Sequence, residues 1–302
     1  MTTIWVATEK GLYRADDPEV VTEGRVADVI ATGHGGWVAL VDGALRGALQ
    51  GARQGDAGLD VDLPGPGPTC LLQEDGFFLV GTSEAHLLHV AADGSRVEPV
   101  ASFEKAEGRD RWYTPWGGPP DTRSLSCAED GTFYVNVHVG GILRSEDGTA
   151  SWAPTIDIDA DVHQVLTSGD LVLAANAYGL AISRDRGLTW AFETEGLHAE
   201  YSRAVAIAGD WLLLSASTGP RGERAAVYRR PLDAPSGSPF ERSRTGLPEW
   251  FDGNIDTRCL VARGESAVLG TGDGTLYRSD DAGASWELLT ADLPPIIALA
   301  LA

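Results

Sequence analysis

The sequence predicts an all-β fold: a seven-bladed β-propeller with four-stranded antiparallel blades. Apolar runs alternate with Gly/Asp turns and show little helical periodicity, which is typical of many short antiparallel strands. A pair of such runs around a short turn recurs, and seven copies can be counted along the chain. The 302 residues divided by seven give about 43 per repeat, a length that suits one four-stranded blade. We therefore expect one propeller domain over residues 1–302.

The recurring pair supplies two strands of each predicted blade. The pairs span residues 4–14, 36–49, 76–90, 131–145, 170–183, 210–229 and 266–279. An inner strand should precede each pair. Candidates for the second to seventh pairs are residues 29–32, 70–73, 123–127, 163–167, 203–207 and 258–262. Three of these start at a regular spacing (163 − 123 = 40 and 203 − 163 = 40), which indicates repetition of one structural unit.

The first strand pair has no inner strand ahead of it, while an apolar run at residues 296–302 follows the last pair. We expect this C-terminal run to pair with the N-terminal strand at residues 4–7, so that one blade is built from both ends of the chain. Closure of this kind leaves no open sheet edge. The alternative is an ordinary surface strand at each terminus.

Three short segments share one turn motif. Residues 183–190 and 279–286 fit S-x-D-x-G-x-[ST]-W, and residues 145–152 fit more loosely, with Thr149 in place of glycine. The Ser and Asp side chains should bond backbone N–H groups of a tight turn, with Gly in the strained position. We expect the tryptophan that follows to pack between blades. The motif resembles the Asp-box of bacterial neuraminidase repeats, which is found in sialidase-like β-propellers.

This resemblance has consequences for function. In the sialidase-like family the turns lie on the face away from the active site, so no catalysis is expected from Asp147, Asp185 or Asp281. Family sialidases bind a sialic carboxylate with three arginines. Seven-bladed proteins with these repeats include plant-polymer glycosidases, lyases and photosystem assembly factors. The resemblance therefore implies a hydrolase, a lyase or a binding protein, and does not choose among them.

The composition restricts the partners. The formal net charge is −21, from 44 acidic and 23 basic residues, so the surface should repel nucleic acid and anionic membranes. No apolar stretch is long enough to span a bilayer, and residues 1–7 lack the features of a signal peptide. The three cysteines lack metal-ligand spacing and lie in apolar runs. We expect a cytoplasmic protein with buried thiols.

Four inner strands open with a similar phrase. The phrases are D-T-R-S-L at 121–125, D-V-H-Q-V at 161–165, Y-S-R-A-V at 201–205 and D-T-R-C-L at 256–260. The shared position holds Arg123, His163, Arg203 and Arg258. Because the inner strands of a propeller start at the mouth of the channel, these side chains should converge on one funnel. Three guanidinium groups there would bind a carboxylate, phosphate or sulfate.

Carboxylates in the same phrases offer a second interpretation. Asp121, Asp161 and Asp256 would link neighbouring blades through Arg–Asp pairs and neutralise the arginines with no ligand present. A mixed site, with some pairs structural and some exposed, is the interpretation we favour. In an enzyme, the same carboxylates would orient partners or act as acid and base.

Polar residues end several otherwise apolar strands. Asn136 and His138 precede one turn that should lie at the funnel, and Asn176 precedes another. His138 and His163 are the candidate proton carriers. With Asp161 or Asp121 they would form a divalent metal site, but no local ligand spacing supports one, and a hydrogen-bonded histidine is favoured. The sequence does not identify a cofactor.

Two long aromatic loops lead into inner strands that carry arginine. Residues 111–120 contain Trp112 and Trp116, and residues 247–254 contain Trp250 and Asn254. Aromatic faces beside Asp, Asn and Arg suit a sugar, and we expect both loops, with Tyr201, to line the funnel. Alternatively, the tryptophans plug the channel or hold the loops down.

Two functions follow. The first is a site for a small anionic or sugar-like molecule, with glycosidase-like hydrolase or lyase activity as an option. The second is a non-catalytic scaffold or assembly factor that binds a protein through Trp112, Trp116 and Trp250.

Overall fold

The computed structural model describes residues 2–48 and 58–302. It confirms the predicted seven-bladed β-propeller with four-stranded antiparallel blades. In blades 2 to 7 the chain runs from the innermost strand to the outermost. The predicted strand pair 36–49 ends at Leu49, which lies outside the described residues.

Strand bounds follow blade by blade. Blade 1 contains β1 (Ile4–Thr8), β2 (Gly11–Arg14), β3 (Asp17–Glu23) and the C-terminal β28 (Ile296–Leu301). Blade 2 contains β4 (Val26–Thr32), β5 (Gly36–Val41), β6 (Ala44–Ala48) and β7 (Leu59–Asp62). Blade 3 contains β8 (Pro68–Glu74), β9 (Phe77–Thr82), β10 (Leu87–Ala91) and β11 (Val97–Pro99). Blade 4 contains β12 (Thr122–Cys127), β13 (Phe133–Val137), β14 (Gly141–Ser145) and β15 (Ala153–Pro154).

The last three blades follow the same plan. Blade 5 contains β16 (Val162–Ser168), β17 (Leu171–Asn176), β18 (Gly179–Ser183) and β19 (Ala191–Glu193). Blade 6 contains β20 (Val205–Ala208), β21 (Trp211–Ala216), β22 (Ala226–Pro231) and β23 (Glu241–Arg242). Blade 7 contains β24 (Leu260–Arg263), β25 (Ser266–Gly270), β26 (Leu276–Ser279) and β27 (Glu287–Thr290). Short 3-10 helices occur in the connections at Gly33–Gly35, Phe103–Lys105, Arg109–Arg111 and Ile158–Ala160. Among the described residues, no helix is long and apolar enough to cross a bilayer.

Blade 1 closes the ring as predicted. β28 is its innermost strand and pairs antiparallel with β1, so that Val6 faces Leu299 and Trp5 faces Ala300. Both Val6 and Leu299 are fully buried. Since β28 takes the place of an inner strand, the two ends of the described chain are held in one sheet.

The apolar runs in the sequence reflect burial on both faces of each blade. The second strand of a blade is the most buried: every residue of β5 and β13 is buried. The outermost strands are open to solvent, as in β27. Buried side chains form clusters between neighbouring blades, for example Val38 and Leu40 of blade 2 against Leu71 and Phe78 of blade 3. Strands buried on both faces lose the alternation of apolar and polar residues.

The three repeated turns have the predicted hydrogen bonds. In the turn at 183–190, Asp185 accepts from Thr189 N at 2.8 Å and from Thr189 Oγ1 at 2.6 Å, and Ser183 Oγ accepts from Gly187 N at 2.7 Å. Gly187 has φ +84°, a conformation that favours glycine. The following Trp190 packs against blade 4 and donates to Thr155 O at 2.8 Å. These turns are structural, since their polar groups are bonded within the turn.

Two inner strands begin later than predicted. β20 starts at Val205 rather than residue 203, and β24 starts at Leu260 rather than residue 258. In blade 6, Ser215 Oγ accepts from both Arg203 N (3.2 Å) and Ala204 N (2.9 Å). A side chain therefore takes the place of the ladder partner, and Arg203 precedes its strand rather than lying within it.

Candidate functional site

The three predicted arginines line one cavity of about 620 Å³ at the mouth of the channel. Arg123 lies in β12, while Arg203 and Arg258 lie just ahead of β20 and β24. Asp121 and Asp256 line the same cavity. These five side chains meet because each belongs to a segment that opens an inner strand, as the sequence predicted.

Arg123 and Asp121 belong to the same strand opening. Arg123 Nε lies 3.4 Å from Asp121 Oδ2, at the long end of a hydrogen bond. Their side chains are 20% and 30% exposed. A contact this long, between groups that both reach water, leaves the other guanidinium nitrogens of Arg123 available to a ligand.

Arg203 is held more firmly. Its Nη1 donates to Asp256 across the boundary between blades 6 and 7, and its Nη2 donates to Tyr201 Oη at 3.3 Å. The guanidinium carbon lies 5.4 Å from the centre of the Tyr201 ring. Arg203 Nε is buried and has no hydrogen-bond acceptor among the described residues. Tyr201 therefore positions Arg203 and does not itself line the cavity.

Arg258 spans from blade 7 to blade 2. Its Nη2 donates to Val29 O at 2.9 Å, and its Nε lies 3.2 Å from Asp28 Oδ1. Asp28 is 2% exposed and also accepts from Leu71 N at 2.8 Å. Burial raises the pKa of Asp28, although Arg258 and the backbone N–H groups oppose the rise. Arg258 adopts a left-handed backbone (φ +64°), which is costly for a residue other than glycine.

Arg258 also lies beside a second cavity. It lines the 620 Å³ cavity and a second cavity of about 450 Å³ whose other walls include Leu166, Ile207 and Leu260 from the inner strands. Arg258 therefore borders both cavities. The 620 Å³ cavity is called the funnel below, and charged side chains form part of its lining.

The funnel is balanced in charge although the protein is strongly acidic. Its lining includes four arginines and four carboxylates: Arg25, Arg123, Arg203, Arg258, Glu9, Asp28, Asp121 and Asp256. Sequence reasoning did not single out Arg25, Glu9 or Asp28. A signal existed for Asp28, which is the charged residue in the otherwise apolar strand V-A-D-V-I-A-T.

The two candidate histidines lie outside the funnel lining. His138 and His163 are 2% and 0% exposed, and Asp161 lies between them. Asp161 Oδ1 is 3.2 Å from His138 Nε2 and 3.7 Å from His163 Nε2. His138 Nδ1 lies 3.4 Å from Asp121 Oδ1, and His163 Nδ1 lies 2.6 Å from Ser202 O. The chain from Asp121 through His138 and Asp161 to His163 joins blades 4 and 5.

The pKa values of Asp161, His138 and His163 shift in different directions. Burial alone would raise the pKa of Asp161, but the neighbouring imidazole rings of His138 and His163 lower it well below 3.8. Burial alone would lower the pKa of His138, yet Asp121 and Asp161 raise it above 6.5. Burial lowers the pKa of His163 despite Asp161. Asp161 thus favours the charged form of His138, whereas burial favours the neutral form of His163.

The metal alternative gains no support from the geometry. Within residues 2–48 and 58–302, no group of three or more His, Cys, Asp or Glu side chains is arranged to hold a metal ion. The imidazole and carboxylate groups of this cluster contact one another.

The candidate amides are engaged in the framework. Asn136 is fully buried and donates to Val162 O at 2.9 Å, which links blades 4 and 5. Asn176 accepts from Tyr178 N at 2.7 Å within a turn. Asn254 accepts from Ser217 Oγ at 2.6 Å and donates to Pro220 O at 3.0 Å. None of the three amides lines the funnel.

The three candidate tryptophans have different positions, and none lines the funnel. Trp112 is 8% exposed and packs on Phe103 at a ring distance of 5.6 Å. Trp116 is 69% exposed, and its ring centre lies 4.8 Å from that of His138. Trp250 lines a separate cavity beside blade 6. These three side chains are therefore not at the funnel as expected, because Trp112 packs into the core, Trp116 lies against His138 and Trp250 lies against His198.

No protein-family model matches this sequence, and no curated protein matches it. The fold is similar to solved structures with low sequence identity. A catalytically inactive virginiamycin B lyase from Staphylococcus aureus, with quinupristin, has 11% identity and a TM-score of 0.64 over 97% of this chain and 89% of that one. The WD40 β-propeller domain of Doa1 has 15% identity and a TM-score of 0.65 over 98% and 89%. YCF48 bound to D1 peptide has 14% identity and a TM-score of 0.59 over 95% and 85%. These likenesses show that the chain is a seven-bladed β-propeller of the architecture shared by enzymes and binding proteins.

Proposed function

We propose that the protein binds a small polar ligand in the funnel, one that joins a carboxylate to sugar-like hydroxyl groups. The observation that carries the proposal is the convergence of Arg123, Arg203 and Arg258 on one 620 Å³ recess. A cavity of this size suits a small molecule, since ligand pockets typically enclose about 300–1,000 Å³. Guanidinium groups bind carboxylates through paired hydrogen bonds.

The balance of charge in the funnel supports a ligand with both acceptors and donors. Arg123 offers donors, while Asp121 and Asp256, with side chains 30% and 52% exposed, offer acceptors. A carboxylate would take the arginine donors, and hydroxyl groups would donate to the aspartates. A simple inorganic anion would use only one half of this lining.

Binding is a better-supported function than acid–base catalysis. Among the described residues, the funnel lining includes no histidine, and His138 and His163 are buried beside it. A general acid or base must reach the proton that it transfers. The glycosidase-like and lyase options therefore rest on the lining carboxylates that water reaches, which are Glu9, Asp121 and Asp256.

The three repeated turns support a relationship to the sialidase-like repeat propellers. The sialidases of that family bind a sialic carboxylate with three arginines, and Arg123, Arg203 and Arg258 match that number. The ligand class proposed here follows the same chemistry, a sugar acid.

D-glucuronate is a suitable probe because it joins a carboxylate to ring hydroxyls. We expect saturable binding by isothermal titration calorimetry, and D-glucose should bind more weakly because it lacks the carboxylate. Arg123→Ala should weaken glucuronate binding about tenfold or more, the usual effect of removing one charge-assisted hydrogen bond. Arg123 is the residue to change because its contact with Asp121 is long, whereas Arg258 compensates the buried Asp28.

Arg96→Ala is the matched control. Arg96 pairs with Glu98 on the outside of blade 3, and its side chain is 69% exposed. This variant should bind glucuronate as the unmodified protein does. The proposal fails if glucuronate does not bind at all, or if the two alanine variants bind it equally well.

A second candidate function is binding of a basic peptide segment at an exposed aromatic patch. The patch consists of Tyr113, Trp116 and Tyr178, which are 45%, 69% and 53% exposed. Tyr113 Oη donates to Asp159 Oδ1 at 3.3 Å, so a carboxylate borders the aromatic rings. Exposed aromatic residues are frequent anchors of protein interfaces, and a net charge of −21 favours a basic partner.

A fluorescein-labelled peptide of alternating Lys and Leu tests this second function by fluorescence anisotropy. Trp116→Ala should weaken binding, and Phe192→Ala should not, since Phe192 is 49% exposed on the outer strand of blade 5. Equal affinity of the two variants, or equal affinity for a Glu/Leu peptide, would exclude the patch as the site.

A further inference from the structure

A second concave site lies beside blade 6, away from the funnel. Its cavity is about 470 Å³ and is lined in part by His198, Tyr228, Arg242, Arg244 and Trp250. Within the described part of the chain, this cavity and the funnel have no lining residue in common. The site is built where the outer strand β23 meets the loops on either side of the blade.

Two arginines, Arg242 and Arg244, line this site, and a third, Arg224, stacks on Trp250 beside it. Within residues 2–48 and 58–302, no carboxylate oxygen lies within 4.0 Å of a guanidinium nitrogen of Arg224, Arg242 or Arg244. By contrast, Arg229 on the adjacent strand lies 2.7 Å from Glu241. Glu249 is the carboxylate in the cavity lining.

Trp250 holds two of these arginines in place. The guanidinium carbons of Arg242 and Arg224 lie 3.7 Å and 4.4 Å from the centre of a Trp250 ring. Stacking on an indole fixes the plane of a guanidinium while leaving its edge free to donate. Arg242 Nε is buried and has no acceptor among the described residues.

The remaining wall adds further polar groups. His198 Nδ1 lies 2.7 Å from Tyr228 Oη, and the His198 ring centre lies 4.7 Å from that of Trp250. Tyr228 is 2% exposed, so this pair is anchored in the blade. The wall of the cavity is thus rigid on the side that carries Arg242.

We propose that this site binds the phosphate group of a small phosphate ester. The two guanidinium groups in the lining and the third beside it repel one another, and the single lining carboxylate of the described residues, Glu249, lies more than 4.0 Å from each of their nitrogens. A dianion with three acceptor oxygens relieves that repulsion better than a carboxylate does. The cavity is large enough for an organic group as well as the phosphate.

Phenyl phosphate and inorganic phosphate are the probes, with acetate as the monoanion for comparison. At near-physiological salt we expect calorimetry to show saturable binding of phenyl phosphate, weaker binding of inorganic phosphate, and none of acetate. Arg242→Gln should weaken phenyl phosphate binding about tenfold. Arg244→Gln, at an exposed position, should weaken it several-fold while leaving the thermal unfolding temperature unchanged.

Arg263→Gln is the matched control, because Arg263 is an exposed arginine on blade 7. Arg242→Lys keeps the charge but loses the planar fork, and it should bind phenyl phosphate more weakly than the unmodified protein. This variant tests the role of Arg242 if Arg242→Gln does not fold. Arg123→Ala, the funnel variant, should leave phosphate binding unchanged.

The outcomes separate this site from the funnel. Loss of phosphate binding in Arg123→Ala would put the phosphate in the funnel and overturn the proposal. Unchanged binding in both Arg244→Gln and Arg242→Lys would also overturn it, as would the absence of saturable phenyl phosphate binding. Failure of glucuronate to bind would count against the funnel alone.

Discussion

The carboxylate of Asp161 lies 3.2 Å from Nε2 of the buried His138, and this contact sets the charge of the polar chain between blades 4 and 5. His138 is 2% exposed, so water contributes little to stabilising its charged form. Asp161 and Asp121 raise its pKa above 6.5. The two carboxylates therefore favour the charged form of the histidine beside the funnel.

Replacing Asp161 with Asn should lower the pKa of His138. The substitution removes one of the two negative charges that stabilise the imidazolium against the cost of burial. The measurement is an NMR titration of the His138 ring protons. Asp159→Asn is the control, because Asp159 contacts Tyr113 and neither histidine. An unchanged His138 pKa in Asp161→Asn would show that Asp161 does not hold the charge.

The same chain predicts how stability depends on pH. The lowered pKa of Asp161 gives stability that is complete above its ordinary value of 3.8 and is lost as the pH falls through the lowered value. The raised pKa of His138 gives stability that is complete below 6.5 and is lost as the pH rises through the raised value. Urea unfolding of Asp161→Asn should therefore show a weaker loss of stability in acid than the unmodified protein. Parallel curves would contradict the assignment.

Thr149 occupies the position that glycine holds in the other two repeated turns. Its φ is +76°, against +84° for Gly187 and +77° for Gly283. A β-branched residue is strained in this region, so Thr149→Gly should raise the free energy of unfolding by up to about 1 kcal/mol. Gly187→Thr should lower it by a similar or larger amount. A destabilising Thr149→Gly change would mean that the threonine side chain contributes more than its strain costs.

Ring closure should depend on Leu299, which is fully buried opposite Val6. Leu299→Ala should lower the free energy of unfolding by about 2–5 kcal/mol, the usual cost of such a cavity. Leu288→Ala, at a side chain 53% exposed, should cost about 0.5 kcal/mol or less. Similar values for the two variants in urea unfolding would show that the terminal strand contributes little to the ring.

Arg258 and Asp28 should be coupled in stability. Arg258→Met leaves the buried Asp28 carboxylate without its cation, at a cost of about 3–5 kcal/mol. Adding Asp28→Asn should recover part of that loss, because the amide is neutral and still accepts from Leu71 N. A double-mutant cycle by urea unfolding measures the coupling. Additive effects would mean that the pair does not interact across the channel.

The fold could be predicted because each blade has a local sequence pattern that repeats along the chain. Strand pairs, turn motifs and the unpartnered run at 296–302 each specify one part of a blade, and the ring follows from their number. The shared position of Arg123, Arg203 and Arg258 could be predicted for the same reason, since equivalent positions of equivalent strands meet at one end of a propeller.

The parts that could not be predicted depend on contacts between distant segments. Asp28 becomes the partner of Arg258 only when the ring closes. Trp250 was expected at the funnel, but it stacks with Arg224 and Arg242 beside blade 6, and no local signal in the sequence marks that contact. Arg224, Arg242 and Arg244 come from a turn, a strand and a loop, so nothing in their spacing indicates that they meet.

The most direct test of the funnel as a ligand site is a crystal structure of the protein soaked in D-glucuronate. We predict difference density in the funnel, with the carboxylate oxygens about 3 Å from the guanidinium groups of Arg123 and Arg203. Density for glucuronate at any other surface, with a funnel that holds only water, would contradict the account.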